Sequence, residues 1–402
     1  MKRHVVHLVT RLDLGGAQQN TLYTVSHLDP ARFEATLACG PGGLLDDEAR
    51  RLSEAPGRPF RLRWFPELVR DVSPVDDARA FLQLAAWLRA LAPDVVHTHS
   101  SKAGILGRLA ARAAGVPVIL HTYHGFGFHD RQRPAVKSFY AALVRLCVAA
   151  SDWTLFVSED NRRYGEAHGL ARAGRHAILR SGVELARLPA RLEDRGRKKA
   201  QLGCGMHKPL VVSVGNLKPQ KNPEGFLRVA AACLEREPEL RFLFVGDGEL
   251  RTRIEAQVIA RGLHGKVLFP GWRRDTAEIL AAADVFALTS LWEGLPRALV
   301  EAMKTGLPCV CYATDGVKDL LRDGENGYLV APEDETRMAE RILELVRRPE
   351  LARELGRGAA ASIGPEFDID AMVRAQESLY ASLLAARRDS VYNPSSSEKG
   401  GG

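Results

Sequence analysis

Short β-branched runs alternate with longer helical patterns along almost the whole chain, and this alternation restricts the fold more than any other feature. Residues 4–9, 33–39, 94–98, 116–122 and 153–157 are strand-length apolar runs, separated by helix-like segments at 17–27, 78–91, 102–114 and 136–150. Such an order predicts parallel βαβ units, whose functional loops lie at the strand C-termini. The pattern restarts at 210–214 and continues through 241–245, 267–269, 285–288 and 309–311, with helical segments such as 226–235 and 298–304. The expected fold class is therefore α/β, two Rossmann-like domains in tandem. Residues 1–187 form the first, a charged linker spans 188–204, and 205–365 form the second. Beyond them an apolar stripe of Met372, Val373, Leu379, Leu383 and Leu384 needs a surface to lie on. The tail 388–402 ends in a serine- and glycine-rich run and is expected to be disordered.

Composition narrows the setting. The chain has 402 residues, enough for two or three domains, and its six cysteines include no C-x-x-C pair, so neither a disulfide framework nor a zinc ribbon is indicated. The expected location is cytoplasmic. The first apolar run is broken by His7 and ends at Thr10, too short for a signal peptide, and no run of about 18 apolar residues spans a membrane. Charge is uneven: residues 1–200 carry a formal +10 and residues 201–402 carry −3. Within 101–150, seven Lys and Arg accompany one acidic residue, Asp130. Such a bias suits an anionic partner, whether a phosphorylated small molecule, an anionic lipid surface or nucleic acid, or else it is a plain solvated face.

Several loops carry candidate chemistry. The first strand runs through Gly15 and Gly16 into a helix, where a tight turn lets backbone N–H groups approach an anion. The segments 95–102 and 121–129 hold five of the twelve histidines at two strand ends. His97 and His99 share a strand face and could bind a metal with His124, but no carboxylate or thiol joins them before Asp130; the expectation is no metal. After the strand 210–214, Gly215 and Asn216 lead into a loop in which Lys218 and Lys221 can meet a phosphate. No G-x-G-x-x-G motif is present, which disfavours a dinucleotide-binding dehydrogenase. The sharpest pattern is Leu291-Trp-Glu-Gly-Leu-Pro-Arg-Ala-Leu-Val-Glu301. Glu293 lies before a helix and Glu301 about 7.5 Å along it, so two carboxylates can grip two ends of one elongated ligand.

Taken in order, Gly15 to Gln18, His124-Gly125, Val214 to Leu217 with Lys221, Val245 to Gly248, Phe269 to Gly271, Glu293-x7-Glu301 and Asp323 to Val330 resemble the retaining glycosyltransferases of family 4. The stretches 100–109 and 121–128 look like bacterial members that build capsular, exopolysaccharide or lipopolysaccharide sugars. The resemblance implies a GT-B architecture with a cleft between the domains, a nucleotide-sugar donor such as a UDP-sugar, and a glycan or lipid-linked acceptor. It also implies that residues 366–387 form a helix crossing back to the first domain. Carried over residue by residue, Glu301 would bond the donor ribose, Glu293 the transferred sugar's hydroxyls and Lys221 the diphosphate. Gly16 would offer its backbone N–H, and His124 would sit near the anomeric carbon. Gly15, Gly215, Asn216, Lys218, Gly246, Arg273, Gly294 and Leu295 complete the donor set, and His99, Lys102 and Arg131 are the acceptor candidates. Many members carry an arginine where this chain has Asn216. Transfer would need no cofactor, no metal and no nucleic-acid partner. The cations Arg131, Arg133, Lys137 and Arg145, interleaved with Phe128, Phe139 and Tyr140, suit peripheral contact with the inner face of the plasma membrane. A nucleotide-sugar epimerase of the same architecture, or a non-catalytic sugar-nucleotide or nucleic-acid binding protein, are the alternatives.

Overall fold

The computed structural model describes residues 2–57, 59–126, 134–189 and 192–392. Among these residues the chain forms two compact units. One takes the chain up to Ser181 and again from Ile369, and the other runs from Gly182 to Asp368.

The first unit is built on strands β1 (Arg3–Arg11), β2 (Phe33–Gly40), β3 (Phe60–Trp64), β4 (Val95–His99), β5 (Val118–Tyr123), β6 (Trp153–Phe156) and β7 (His176–Ile178). They lie in the order β3-β2-β1-β4-β5-β6-β7, every pairing parallel. Because side chains alternate across a strand, β1 serves two cores at once. Val5 and Val9 join a cluster with Leu22, Leu37 and Leu120 on one face. Val6 and Leu8 join Leu84, Leu88, Val96 and Ile119 on the other. His7 falls on the same face as Val5 and Val9, an apolar position by pattern. Strand β3 is absent from the sequence-based reading: Phe60, Leu62 and Trp64 turn inward to different degrees while Arg61 and Arg63 stay exposed, as befits an edge strand.

The helix Ile369–Tyr392 gives the C-terminal apolar stripe its surface, since Met372, Val373, Tyr380 and Leu384 are buried in the first unit's core. Polar bonds fix its seat. The Tyr23 hydroxyl donates to Asp370 at 2.7 Å, and Glu377 accepts from the Asp29 N–H at 2.6 Å. Residues 388–392 continue this helix instead of opening a disordered tail; residues 393–402 lie outside the described residues.

The second unit repeats the architecture with β8 (Leu210–Val214), β9 (Arg241–Val245), β10 (Val267–Leu268), β11 (Val285–Leu288), β12 (Cys309–Tyr312) and β13 (Tyr328–Val330), in the order β10-β9-β8-β11-β12-β13. All pairings are parallel. Its core gathers Val211, Phe226, Phe242, Phe244, Val285 and Val310. The expected linker 188–204 is not a free spacer. Its helix Arg195–Gln201 is pinned to this unit by Arg195, which donates to the carbonyls of Ala282 and Ala283 and pairs with Asp284, and by Lys199, 2.5 Å from Asp284.

In both sheets the chain runs outward on one side and then returns to the other side of its first strand. The C-terminal ends of β1 and β4, and of β8 and β11, are thus topological switch points, where open α/β sheets leave a crevice for ligands.

Candidate active site

At the switch point of the second unit two loops are stitched together. Leu291 N–H donates to the Gln220 carbonyl at 2.8 Å, and the Gln220 side-chain amide donates to the Trp292 carbonyl at 2.9 Å. The Thr289 hydroxyl lies 3.1 Å from the carbonyl of Lys221 and 3.0 Å from that of Asn222. These bonds hold Lys221, from the loop after β8, against Glu293, from the loop after β11, as a direct ion pair. Glu293 is only 5% exposed and Lys221 20%. A pair so placed keeps a cation and an anion poised together at low dielectric, and either one left alone would be costly.

The surrounding backbone explains the tight packing. Asn222 adopts a left-handed conformation with φ of 48° and caps the helix Pro223–Arg236, its side chain accepting from the Gly225 N–H at 3.0 Å. Gly246, at φ +146°, lets the end of β9 approach Gly215 so closely that a Cβ would stand 1.8 Å from the Gly215 carbonyl oxygen. A Cβ on Gly316 would likewise meet the Gly294 carbonyl oxygen at 1.9 Å, so the Gly294–Leu295 turn is fixed from behind. The Lys221 stem passes 3.3 Å from the Cβ position of Gly215. Pro296 is the N-cap of the helix Arg297–Lys304, one step earlier than the sequence suggests, and Glu301 lies inside that helix. Burial pushes the Glu301 carboxyl above the usual range; Arg297 opposes this and Glu184 adds to it.

The first unit's switch point has a different chemistry. Ser100, directly after β4, takes a φ of 61° and ψ of 168°, strained for a residue with a side chain. It is held by Thr10 at the end of β1, their hydroxyls 2.8 Å apart, while Thr10 Oγ1 accepts from the Ala103 N–H at 3.0 Å. Next to these strand ends runs a line of rings, buried except for the half-buried His124. His124 Nε2 is 3.1 Å from His99 Nδ1, and His99 Nε2 is 3.0 Å from His7 Nδ1. His7 Nε2 lies 3.2 Å and His97 Nδ1 2.6 Å from the Tyr380 hydroxyl. Burial drives the His7 imidazole down to about 3 and holds His97, His99 and His121 well below their ordinary value, so these rings are neutral. The helix that follows β1 starts at Gly16 with Gly15 as its extended N-cap, and its first N–H groups have no carbonyl within the helix to bond.

The sequence profile described as Glycosyl transferases group 1 matches residues 194–362, and that of Glycosyl transferase 4-like domain matches residues 15–182. An Escherichia coli protein, UDP-Gal:alpha-D-GlcNAc-diphosphoundecaprenol alpha-1,3-galactosyltransferase, is 33% identical over 336 residues, covering 83% of this chain and 85% of the relative. The chain belongs to glycosyltransferase family 4. Bacillus subtilis (strain 168) EpsD, a putative glycosyltransferase by name, is 31% identical over 71% of this chain and 76% of its own length. The fold is GT-B. Anabaena HepE in complex with UDP and glucose superposes with a TM-score of 0.78 at 19% identity, covering 94% of this chain and 99% of that one. Sucrose-phosphate synthase from Thermosynechococcus elongatus gives 0.79 at 20% identity, covering 96% and 100%. Glycosyltransferase activity in bacterial glycan synthesis therefore takes precedence over the epimerase and the non-catalytic binding readings.

Within this glycosyltransferase the residues singled out from sequence fare unequally. Lys221, Glu293, Gly215, Gly246, Gly294 and Leu295 meet around the stitched loops of the second unit. Asn216 and Lys218 sit in the same loop, the Lys218 N–H donating to the Asn216 carbonyl at 2.8 Å. Arg273 instead spends its guanidinium on Asp275, with contacts of 2.8 and 2.7 Å, and Asp275 also takes Lys198 at 2.6 Å. In the first unit His99 is buried, with both ring nitrogens engaged by other histidines, so it is an internal link. Lys102 is turned toward the helix Pro74–Leu91, 2.5 Å from Asp77 and bonded to the Asp71 carbonyl. Arg131, with Phe128 and Arg133, lies outside the described residues. Arg145 donates to the His168 carbonyl at 2.7 Å. Among the described residues, the histidine grouping whose ring nitrogens converge is His7, His97 and His99, not His97, His99 and His124. Neither His7 nor Tyr380 is foreseen from sequence. Their only signal is a histidine at an apolar β1 position and a tyrosine on the buried stripe of a helix far along the chain.

Proposed function

We propose that this enzyme moves a sugar from a UDP-sugar to a lipid-linked glycan acceptor, with retention of anomeric configuration, in cell-envelope polysaccharide synthesis. The observation that carries the reading is the Lys221–Glu293 pair at the switch point of the second unit. A departing nucleoside diphosphate needs its developing charge met by fixed cations and N–H dipoles, and Lys221 supplies a cation there without a metal. Glu293 orients Lys221 and accepts from hydroxyls of the transferred sugar, and Glu301 accepts from the ribose. In the first unit, His124 and the Gly16 N–H are the candidate sugar and anion contacts. The names of the Escherichia coli relative and of the Anabaena complexes support UDP as the carrier, and the former supports a diphosphoundecaprenol-linked acceptor. Among the described residues no helix is long and apolar enough to cross a membrane. The basic bias of 101–150 supports peripheral attachment to an anionic leaflet on the cytoplasmic side.

The test is transfer of labelled sugar from UDP-, GDP- and ADP-sugars to diphosphoundecaprenol-linked GlcNAc in anionic and neutral vesicles, with EDTA present in one series. The reading requires UDP-dependent extension of the lipid, a product anomer matching the donor, and undiminished rate in EDTA. An inverted product, a GDP requirement or loss of activity rescued by Mn²⁺ contradicts it.

A further inference from the structure

Strand β3 closes one side of the first sheet, and among the described residues its one neighbour is β2. The Phe65 N–H, one step past the ladder, donates to the Cys39 carbonyl at 2.9 Å. Successive peptide groups of a strand point to opposite sides, so Arg61 and Arg63 bond β2 as Phe65 does. The N–H and C=O groups of Phe60, Leu62 and Trp64 then face away from the sheet. This edge does not open straight into solvent. The helix Asp46–Ser53 stands beside it, and an open cavity of about 730 Å³ lies there, lined by Phe60, Leu62 and Trp64 on the strand and by Arg50, Ser53 and Glu54 on the helix and its C-cap. The Arg50 guanidinium sits 6.0 Å from the centre of the half-buried Trp64 ring and steadies that wall. A trough between an edge strand and a helix, with peptide groups unbonded along one wall, suits an extended segment that adds to the sheet. Main-chain bonds hold such a segment, and its alternate side chains enter the trough.

The other face of the edge names the occupant. Arg61, 69% exposed, pairs with Glu34 of β2 at 2.6 Å, and the exposed Arg63 lies over the Phe65 ring with no ion pair among the described residues. A second copy of β3 laid antiparallel on this edge would set Arg61 and Arg63 against the same two cations, and like charges on facing strands repel. Cations on an edge strand are a common guard against such self-pairing. A strand with carboxylates on that face is attracted instead. We propose that the β3 edge and its trough are a docking site for an extended segment of a partner protein in which acidic and apolar residues alternate, the acidic side chains meeting Arg61 and Arg63 and the apolar ones packing on Leu62 and Trp64. The proposal stands on the first unit alone and is independent of the reading under Proposed function. Strand β2 separates this edge from β1 and the switch point, so docking does not cover the sugar-transfer crevice.

The test uses the full-length chain and three end-blocked synthetic peptides: one alternating Glu and Val, one alternating Lys and Val, and the first with its central Val replaced by Pro. Fluorescence anisotropy reads binding, and hydrogen exchange with mass spectrometry reads its place. The Glu peptide is expected to bind about tenfold more tightly than the Lys peptide, the scale of two cross-strand charge pairs turned from attraction to repulsion. It slows exchange across residues 60–65, and the Pro peptide, which lacks an N–H for the ladder, binds far more weakly. Arg61→Glu combined with Arg63→Glu reverses the preference. Arg63→Glu alone keeps the Arg61–Glu34 pair, and so guards against a fold defect, and it cuts the preference by about threefold. No binding of the Glu peptide, equal binding of the Glu and Lys peptides, or slowed exchange confined to other segments overturns the proposal. A dimer in sedimentation whose formation protects residues 60–65 overturns it in favour of a second copy of this chain.

Discussion

The two switch points use the same fold for opposite electrostatics. In the second unit a cation and a carboxylate face each other, Lys221 on Glu293, where strand-end loops cross. In the first unit the equivalent ends of β1 and β4 lead to neutral rings, His99 and His7, whose protonation is suppressed by burial. Under the proposed function, the fixed charge of the second unit serves the departing diphosphate and the uncharged rings of the first unit serve a sugar hydroxyl.

The largest consequence is expected at Lys221. Lys221→Ala lowers kcat by about 10²- to 10³-fold, the scale of removing one fixed donor to developing charge. It also strands a buried carboxylate, so the thermal midpoint falls; Lys221→Ala combined with Glu293→Gln recovers stability but not rate. A single variant with near wild-type turnover breaks the division of tasks on the second unit's side. Next comes Glu301→Ala, which weakens donor binding by about 1.5–3 kcal/mol as charge-assisted hydrogen bonds are lost, read by calorimetric titration with UDP-sugar. Unchanged affinity removes Glu301 from the donor site.

Acid titration sharpens the comparison further. The buried histidines have folded pKa values below the unfolded value of about 6.5, so the unfolded chain binds more protons as pH falls and the first unit loses stability from about pH 6.5 downward. In the second unit Arg273 holds the Asp275 carboxyl low. Burial works to raise Asp284, but Arg195 and Lys199 hold it below the ordinary carboxylate range. These carboxylates lose their contribution only below about pH 4. Hydrogen exchange across pH 7 to 4 should therefore show protection failing first at β1 and β4 and later at β8 and β11. Simultaneous loss contradicts the contrast. The smallest effect belongs to Lys102→Ala: its bonds to Asp77 and Asp71 anchor the helix Pro74–Leu91, so kcat and acceptor KM stay within about twofold and stability falls by about 1 kcal/mol or less. A large rise in acceptor KM would return Lys102 to the acceptor site.

The parallel sheets were legible because strands buried on both faces read as apolar runs, as in Leu210–Val214 and Val285–Leu288. Strand β3 was not, because an edge strand alternates Arg61 and Arg63 with its inward residues and lacks such a run. The loop residues Lys221 and Glu293 were visible singly. Their pairing was not, since 72 residues separate them and only the reversal of strand order brings the two loops together. The histidine line was half visible: the strand-end positions of His97, His99 and His124 stood out, while His7 was hidden in an apolar pattern and Tyr380 lies 373 residues from it.

Calorimetric titration of UDP into the wild-type protein, Lys221→Met and His124→Ala tests the separation of tasks most directly. The account predicts that Lys221→Met weakens UDP binding by about tenfold or more, as expected for a lost charged hydrogen bond, whereas His124→Ala binds UDP as the wild type does and loses turnover only. UDP affinity untouched by Lys221→Met, or reduced equally by His124→Ala, would contradict it.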